Sequence, residues 1–215
     1  SLVFWPVLLA MCYAAGTPGK TLLGVMGVGA AIAGIGFGFL HAYQRQRLDV
    51  WWAHDGWTEA AIADPVTGPE IRKLLADAAY QPWQSLIAIG GGGVDGFGLQ
   101  AGPQNRGDFL PYRSVDYIWS VIAEEAGFLG AAAVLLLHCG RVWGRLRMGM
   151  QVRERFGRLV CVGVATWIGT QTLAHAAVCL WLMPATGLPM PLISYGGSST
   201  LAVVVGLGFA LHAGA

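Results

Sequence analysis

Residues 109–137 read FLPYRSVDYIWSVIAEEAGFLGAAAVLLL, an apolar run long enough to cross a membrane that carries three carboxylates, Asp116, Glu124 and Glu125. A carboxylate at the centre of a bilayer costs roughly 2.5–3.5 kcal/mol even on the mildest scale. A helix that keeps three of them must use them or shield them.

The rest of the chain sets the same context. Of 215 residues, 55% are hydrophobic and only 12% charged, with mean hydropathy +0.55, the signature of a membrane protein and not of a soluble domain. Residues 1–44 hold only Lys20, and residues 159–215 contain no Lys, Arg, Asp or Glu. About 20 helical residues cross the hydrocarbon core, so residues 21–40, 117–139, 159–182 and 198–213 are expected to be spans. The run 2–15 is short, and because the chain opens on Ser1 it is read as the remainder of a truncated helix. The expectation is one membrane domain over 1–215, an all-α polytopic helix bundle forming the carboxy-terminal part of a larger protein.

Orientation follows from arginine. The segment RVWGRLRMGMQVRERFGR at 141–158 holds six arginines against the single acid Glu154, so 140–158 reads as a cytoplasmic loop and 41–116 as a long extracytoplasmic one. A lipid- or nucleic-acid-binding patch is the competing reading of those arginines. The outer segment carries Trp51, Trp52, Trp57 and Trp83, residues that favour a membrane interface, and is expected to form short helices along the membrane surface. One candidate is DPVTGPEIRKLLADAAY at 64–80, with Asp64 or Thr67 as cap. In IAIGGGGVDGFG at 87–98, the glycines either cradle a diphosphate with backbone N–H groups or let chain segments pass closely; no Gly-Lys-Ser/Thr follows, so it is not a Walker loop.

Four motifs in order, YQRQR at 43–47, YQPWQS at 80–85 leading into the glycine run, FLPYRSVDYIWSVIAEEAGFLG at 109–130 and LMPATGLPMPLISYGGSS at 182–199, resemble the SEDS family of RodA, FtsW and SpoVE. The interval from Gln104 to Pro111 is similar to the RodA branch more than to FtsW. The chain departs from the family pattern at Tyr112, Ser114, Val115 and His175, and its segment between Arg47 and Tyr80 is longer than usual.

The resemblance implies a peptidoglycan glycosyltransferase of the cytoplasmic (inner) membrane with an outward-facing site. Such an enzyme joins lipid II units to a growing glycan strand during cell elongation or division and releases undecaprenyl diphosphate. A class B penicillin-binding protein is the implied partner; no nucleic acid and no organic cofactor are expected. A lipid-linked sugar transporter, or a non-catalytic scaffold of a cell-wall synthase complex, would fit the buried carboxylates and the altered residues.

Asp116 sits where an aqueous segment meets an apolar helix, where desolvation raises a carboxylate's pKa. It is the candidate general base for the acceptor hydroxyl, with ligation of a divalent cation (Mg2+ or Mn2+) as the close competitor. Glu124 would lie about 12 Å along the helix from Asp116, and Glu125 would point about 180° away, so both are read as structural supports. Arginine forks suit phosphate oxygens, which makes Arg45, Arg47 and Arg113 candidate substrate contacts, Arg113 being preferred for its closeness in sequence to Asp116. Gln104 is a candidate for sugar or peptide. In the Pro- and Gly-rich turn at 184–199, Ser194, Tyr195, Gly196 and Gly197 are the expected substrate-binding end, against a plain helix-starting turn with Ser198 as cap. The four cysteines and five histidines show no metal-ligand spacing.

Overall fold

A computed structural model describes residues 3–111 and 113–214. Tyr112 and Leu2, the first residue of the expected 2–15 run, lie outside the described residues. Among those described there is no β-strand; the chain is all-α, as its composition implies. Its helices are α1 (Phe4–Ala14), α2 (Gly19–Gly38), α3 (Ala42–Ala53), α4 (Glu59–Ala63), α5 (Gly68–Ala76), α6 (Tyr80–Gly92), α7 (Pro103–Arg106), α8 (Ile118–Gln151), α9 (Arg155–Cys179) and α10 (Gly197–Gly214). A 3-10 turn, His54–Gly56, follows α3. Helices α2, α8 and α9 are long and apolar enough to cross a membrane, and α1 and α10 are shorter apolar helices. This is a multi-pass membrane protein.

The segment 140–158 is not the loop its charge suggested. Helix α8 runs on to Gln151 and α9 begins at Arg155, leaving residues 152–154 as the connection. Arginine, leucine and methionine are good helix formers, so RLRMGMQ prolongs the helix while its charge still marks the end of a span.

The described residues fall into two compact units, one from Ser1–Gly38, Ala132–Ala174 and Leu188–Ala215, the other from Phe39–Ala131 and His175–Gly187. In the first unit small residues let helices touch. The Trp5 ring packs on Gly29, the Met11 side chain on Gly163, Cys161 on Gly149 and Trp167 on Gly206. The irregular turn after Leu188 survives because side chains satisfy its backbone. Gln171 Nε2 donates to the Pro189 carbonyl at 2.7 Å, His138 Nε2 lies 3.0 Å from the Pro191 carbonyl, and Met190 N donates to Ser194 Oγ at 2.6 Å.

The second unit is built around Trp181, only 2% exposed, which clusters with Val50 and Ala79. His54 stacks on its ring at 4.6 Å, Trp57 and Trp83 meet it edge-on at 5.9 and 6.4 Å, and Trp51 Nε1 donates to its carbonyl at 3.2 Å. Three of the four tryptophans expected at a membrane interface therefore form a core, and Trp52 alone of the four is largely exposed. The amphipathic ring that suits an interface suits equally a small core whose N–H finds a carbonyl.

The glycine run has a structural use. Helix α8 is broken at Gly127 (φ 64°, ψ −167°). In an unbroken helix the amides of Phe128 and Leu129 would donate to the carbonyls of Glu124 and Glu125. Here Phe97 N and Gly98 N donate to those carbonyls at 3.0 and 2.9 Å, while Phe128 N and Leu129 N donate to Gly93 and Val94 at 2.8 and 3.3 Å. Two helical hydrogen bonds are thus replaced by four between segments. The approach is so close that a Cβ on Gly96 (φ +76°) would collide with the Glu125 carbonyl. Gly96→Ala should destabilise the fold by at least about 1–2 kcal/mol from the left-handed dihedral alone. Thermal unfolding of the purified protein in detergent should show a lowered midpoint for it and none for Gly36→Ala, whose Cβ meets open space. An unchanged midpoint in Gly96→Ala would contradict the splice.

Candidate active site at Asp116 and Arg47

Helix α3 places its functional residues by helical spacing. His41 N donates to Gln44 Oε1 at 3.1 Å and fixes the start of the helix. Tyr43, Arg47 and Trp51 then recur at i, i+4, i+8 on one face. The Arg47 guanidinium lies 4.4 Å from the centroid of the Tyr43 ring and is hydrogen-bonded to the Tyr43 hydroxyl. Its Nη1 donates to the Ala185 carbonyl at 3.0 Å. With Trp51 bonded to Trp181, two anchors pin α3 to the 181–185 segment, and Arg47 is half-buried there.

Asp116 lies two residues before α8 and is half-buried. Burial raises its pKa above the usual carboxylate value, and the Arg47 charge opposes part of that rise. The 184–187 turn comes close: the Cβ direction of Gly187 (φ +65°) ends 3.8 Å from Asp116 Oδ2. Two hydroxyls nearby in the chain, Tyr117 Oη beside Asp116 and Thr186 Oγ1 beside Ala185, are buried without a hydrogen-bond partner. The charges of Arg47 and Asp116 both reach Tyr117. A polar cavity of about 310 Å³ opens at Arg47, lined also by Tyr43, Gln46, Asp77, Tyr80 and Gln81. Buried serines tie α6, α8 and α9 together: Ser85 Oγ lies 2.6 Å from Ser120 Oγ and donates to the Cys179 carbonyl at 2.7 Å.

The other expected site residues have partners of their own. Glu124, 1% exposed, accepts from Gln104 N at 2.7 Å and Asn105 N at 3.2 Å, so its carboxylate caps α7. Glu125 accepts from Asn105 Nδ2. Both carboxylates hold the 102–105 turn against α8. The side-chain Oε1 of Gln104 is buried without a partner. Arg113, preferred from the sequence as the cation beside Asp116, instead pairs with Asp108 and donates to the Asn105 carbonyl at 2.8 Å. A local acid five residues away captures it, and Arg47 is the cation that acts on Asp116. Arg113 and Arg106 line a second cavity of about 630 Å³ with Leu99, Gln100 and Asn105. Arg45 is exposed on α3. Ser194, buried against Met190, belongs to the first unit with Tyr195 (84% exposed), Gly196 and Gly197.

Sequence reasoning passed over Tyr43, Tyr117, Thr186 and Gly187. The i, i+4 relation of Tyr43 to Arg47 was the one available signal. No group of three His, Cys, Asp or Glu side chains that could hold a metal occurs among the described residues. A carboxylate half out of water, a guanidinium with donors to spare and unspent hydroxyls can bind an anionic, hydroxyl-bearing ligand and move a proton.

Comparison with known proteins identifies the family. The FtsW/RodA/SpoVE family model, described as cell cycle protein, matches residues 1–214. A probable peptidoglycan glycosyltransferase FtsW of Geobacter sp. (strain M18) is 32% identical over 213 residues, 99% of this chain and 53% of that protein. The peptidoglycan glycosyltransferase MrdB of Escherichia coli (strain K12) is also 32% identical, over 86% of this chain and 45% of that protein, so identity favours neither branch. A solved structure described as structural coordination of polymerization and crosslinking by a peptidoglycan synthase complex matches 98% of this chain and 54% of its own, with TM-score 0.66 and 25% identity. The chain spans about half the length of these relatives. With its motifs in order and the family model matching from end to end of the described residues, the chain belongs to the FtsW/RodA/SpoVE family.

Proposed function

We propose that this chain forms the carboxy-terminal part of a membrane glycosyltransferase that polymerises lipid II into glycan strands, with Asp116 as general base and Arg47 as the cation beside it. The observation that carries the reading is that one turn, 184–187, meets both charges: Arg47, beside a polar cavity, donates to the Ala185 carbonyl, and the Cβ position of Gly187 lies 3.8 Å from Oδ2 of the half-buried Asp116 at the edge of a long apolar helix. The relatives' names support the reaction class.

The acceptor sugar hydroxyl is a weak nucleophile at neutral pH. Asp116 takes its proton as the acceptor oxygen bonds to the anomeric carbon of the donor, and the bond from that carbon to the diphosphate breaks, its electron pair leaving on undecaprenyl diphosphate. General-base catalysis of this kind contributes typically about 10²–10⁴-fold. Arg47 has five N–H donors, of which Ala185 and Tyr43 use only part, leaving others for a phosphate oxygen. Arg113 lines a separate cavity and is assigned to the glycan or peptide portion, with Gln104 and Arg45 as further contacts; the Ser194–Gly197 turn is assigned to substrate binding. Ligation of Mg2+ or Mn2+ is the competing role of Asp116: its carboxylate would then hold the cation and would not act as base. The cation would neutralise charge on the leaving group. We assign the site to the outer face of the cytoplasmic membrane, on the strength of the arginines at 141–158, and a class B penicillin-binding protein as partner, on the strength of the solved synthase complex that the chain resembles.

The test uses the full-length protein with its penicillin-binding partner, labelled lipid II and a divalent cation. Asp116→Ala should lower glycan formation at least about 10²-fold with folding and partner binding intact. Polymer at the wild-type rate would remove Asp116 from the chemistry, and absence of polymer from a folded wild-type complex would favour a scaffold or a lipid-linked sugar transporter. The pH profile is a second check. Burial raises the Asp116 pKa, so the active, ionised base is lost as pH falls through a value above the ordinary 3.8. The acid limb of kcat/KM should therefore lie above 3.8 and vanish from the residual activity of Asp116→Ala; a limb at or below 3.8 would speak against this base.

A further inference from the structure

A cavity of about 930 Å³ lies entirely in the first unit and far along the chain from Asp116. Its walls include Arg153, Phe156, Val160, Val164, Phe209 and His212. Helices α9 and α10 run antiparallel beside it: Gly157 meets Ala213, Cys161 Sγ donates to the Ala210 carbonyl at 3.5 Å, and Gly206 meets Val164 and Trp167. These contacts order the groove from end to end. The mouth is polar, with Arg153, Glu154 and His212, while Val160 and Val164 line it one and two turns further along α9. From Gly157 to Val164 the groove extends about 10 Å.

Charge completes the picture. The first unit carries Lys20 and six arginines, Arg141, Arg145, Arg147, Arg153, Arg155 and Arg158, against one acid, Glu154. Glu154 immediately precedes α9, where the helix dipole offsets its charge. The Nε atoms of Arg145 and Arg158 are buried without a partner. A groove with Arg153 at its mouth and an apolar floor, in a unit whose charge is six arginines and a lysine against one acid, matches an amphiphile with an anionic head and hydrocarbon tails.

The geometry points to a binding site for an anionic phospholipid of the surrounding bilayer, its phosphate at Arg153 and an acyl chain along Val160 and Val164. The six arginines then do more than orient the protein: one of them selects a lipid. This inference is independent of the polymerase reading, since it needs neither lipid II nor Asp116.

The test is native mass spectrometry of the full-length protein released from detergent with equal amounts of phosphatidylglycerol and phosphatidylcholine. Phosphatidylglycerol should be retained preferentially as a single strong adduct. Arg153→Gln should reduce that retention about fivefold, the worth of one cation at a lipid surface. Val160→Trp, which fills the groove without changing charge, should reduce it similarly, whereas Arg141→Gln, which removes the same charge outside the groove, should leave it unchanged. Equal retention of the two lipids, an equal loss in Arg141→Gln, or wild-type retention in either groove variant overturns the site. Should Val160→Trp fail to fold, the surface variant Arg153→Gln decides alone.

Discussion

Four backbone hydrogen bonds join the 93–98 turn to the break at Gly127 in α8, and the geometry of the site depends on them. A helix entering a membrane cannot leave carbonyls and amides unpaired, because each unsatisfied group in hydrocarbon costs several kcal/mol. Breaking α8 near its start is tolerated only because a second backbone supplies the missing donors and acceptors. That second backbone must come within van der Waals range of the first, which explains glycine at Gly92, Gly96 and Gly127, where a Cβ would strike a facing carbonyl. The glycines serve close approach, and the amides of Gly96, Phe97 and Gly98 are spent on backbone carbonyls.

With the first turns of α8 locked in this way, the residues that precede them are fixed too. Ser120 bonds Ser85 of α6, and Ser85 bonds the Cys179 carbonyl, so the start of α8 is tied to the end of α9. Trp181 follows two residues later and draws Trp51, His54, Trp57 and Trp83 around it. Helix α3 is thereby held with Arg47 on the Ala185 carbonyl, and Gly187 comes to the Asp116 carboxylate. The two charges that matter for the proposed chemistry are placed by contacts among residues that do none of it. Glu124 and Glu125 belong to this supporting set, holding the 102–105 turn through backbone and amide donors.

Some of this was legible in the sequence and some was not, for physical reasons. The apolar helices followed from apolar length, and the half-burial of Asp116 from its position where a polar segment meets one of them. The motifs at 43–47, 80–85, 109–130 and 182–199 carried the family. The choice between Arg47 and Arg113 did not follow from sequence: Arg47 reaches a carbonyl 138 residues away, whereas Arg113 is taken by Asp108 nearby. Closeness along the chain was a poor guide because the nearer acid competes. The clustering of the tryptophans was not legible either, since their partner Trp181 lies 130 residues from Trp51 and periodicity carries no information at that range. The arginine-rich 140–158 segment hid its helical character because charge reports on the membrane boundary while propensity decides the backbone.

The claim on which the account stands is that Arg47, and not Arg113, sets the state of the Asp116 carboxyl. Infrared titration of the full-length protein would test it most directly, following the carboxyl band that disappears in Asp116→Asn. The account predicts a midpoint above the ordinary carboxylate value of 3.8 that moves higher in Arg47→Gln, because removing the cation disfavours the charged form, and stays in place in Arg113→Gln. A midpoint moved by Arg113→Gln and indifferent to Arg47→Gln would contradict it.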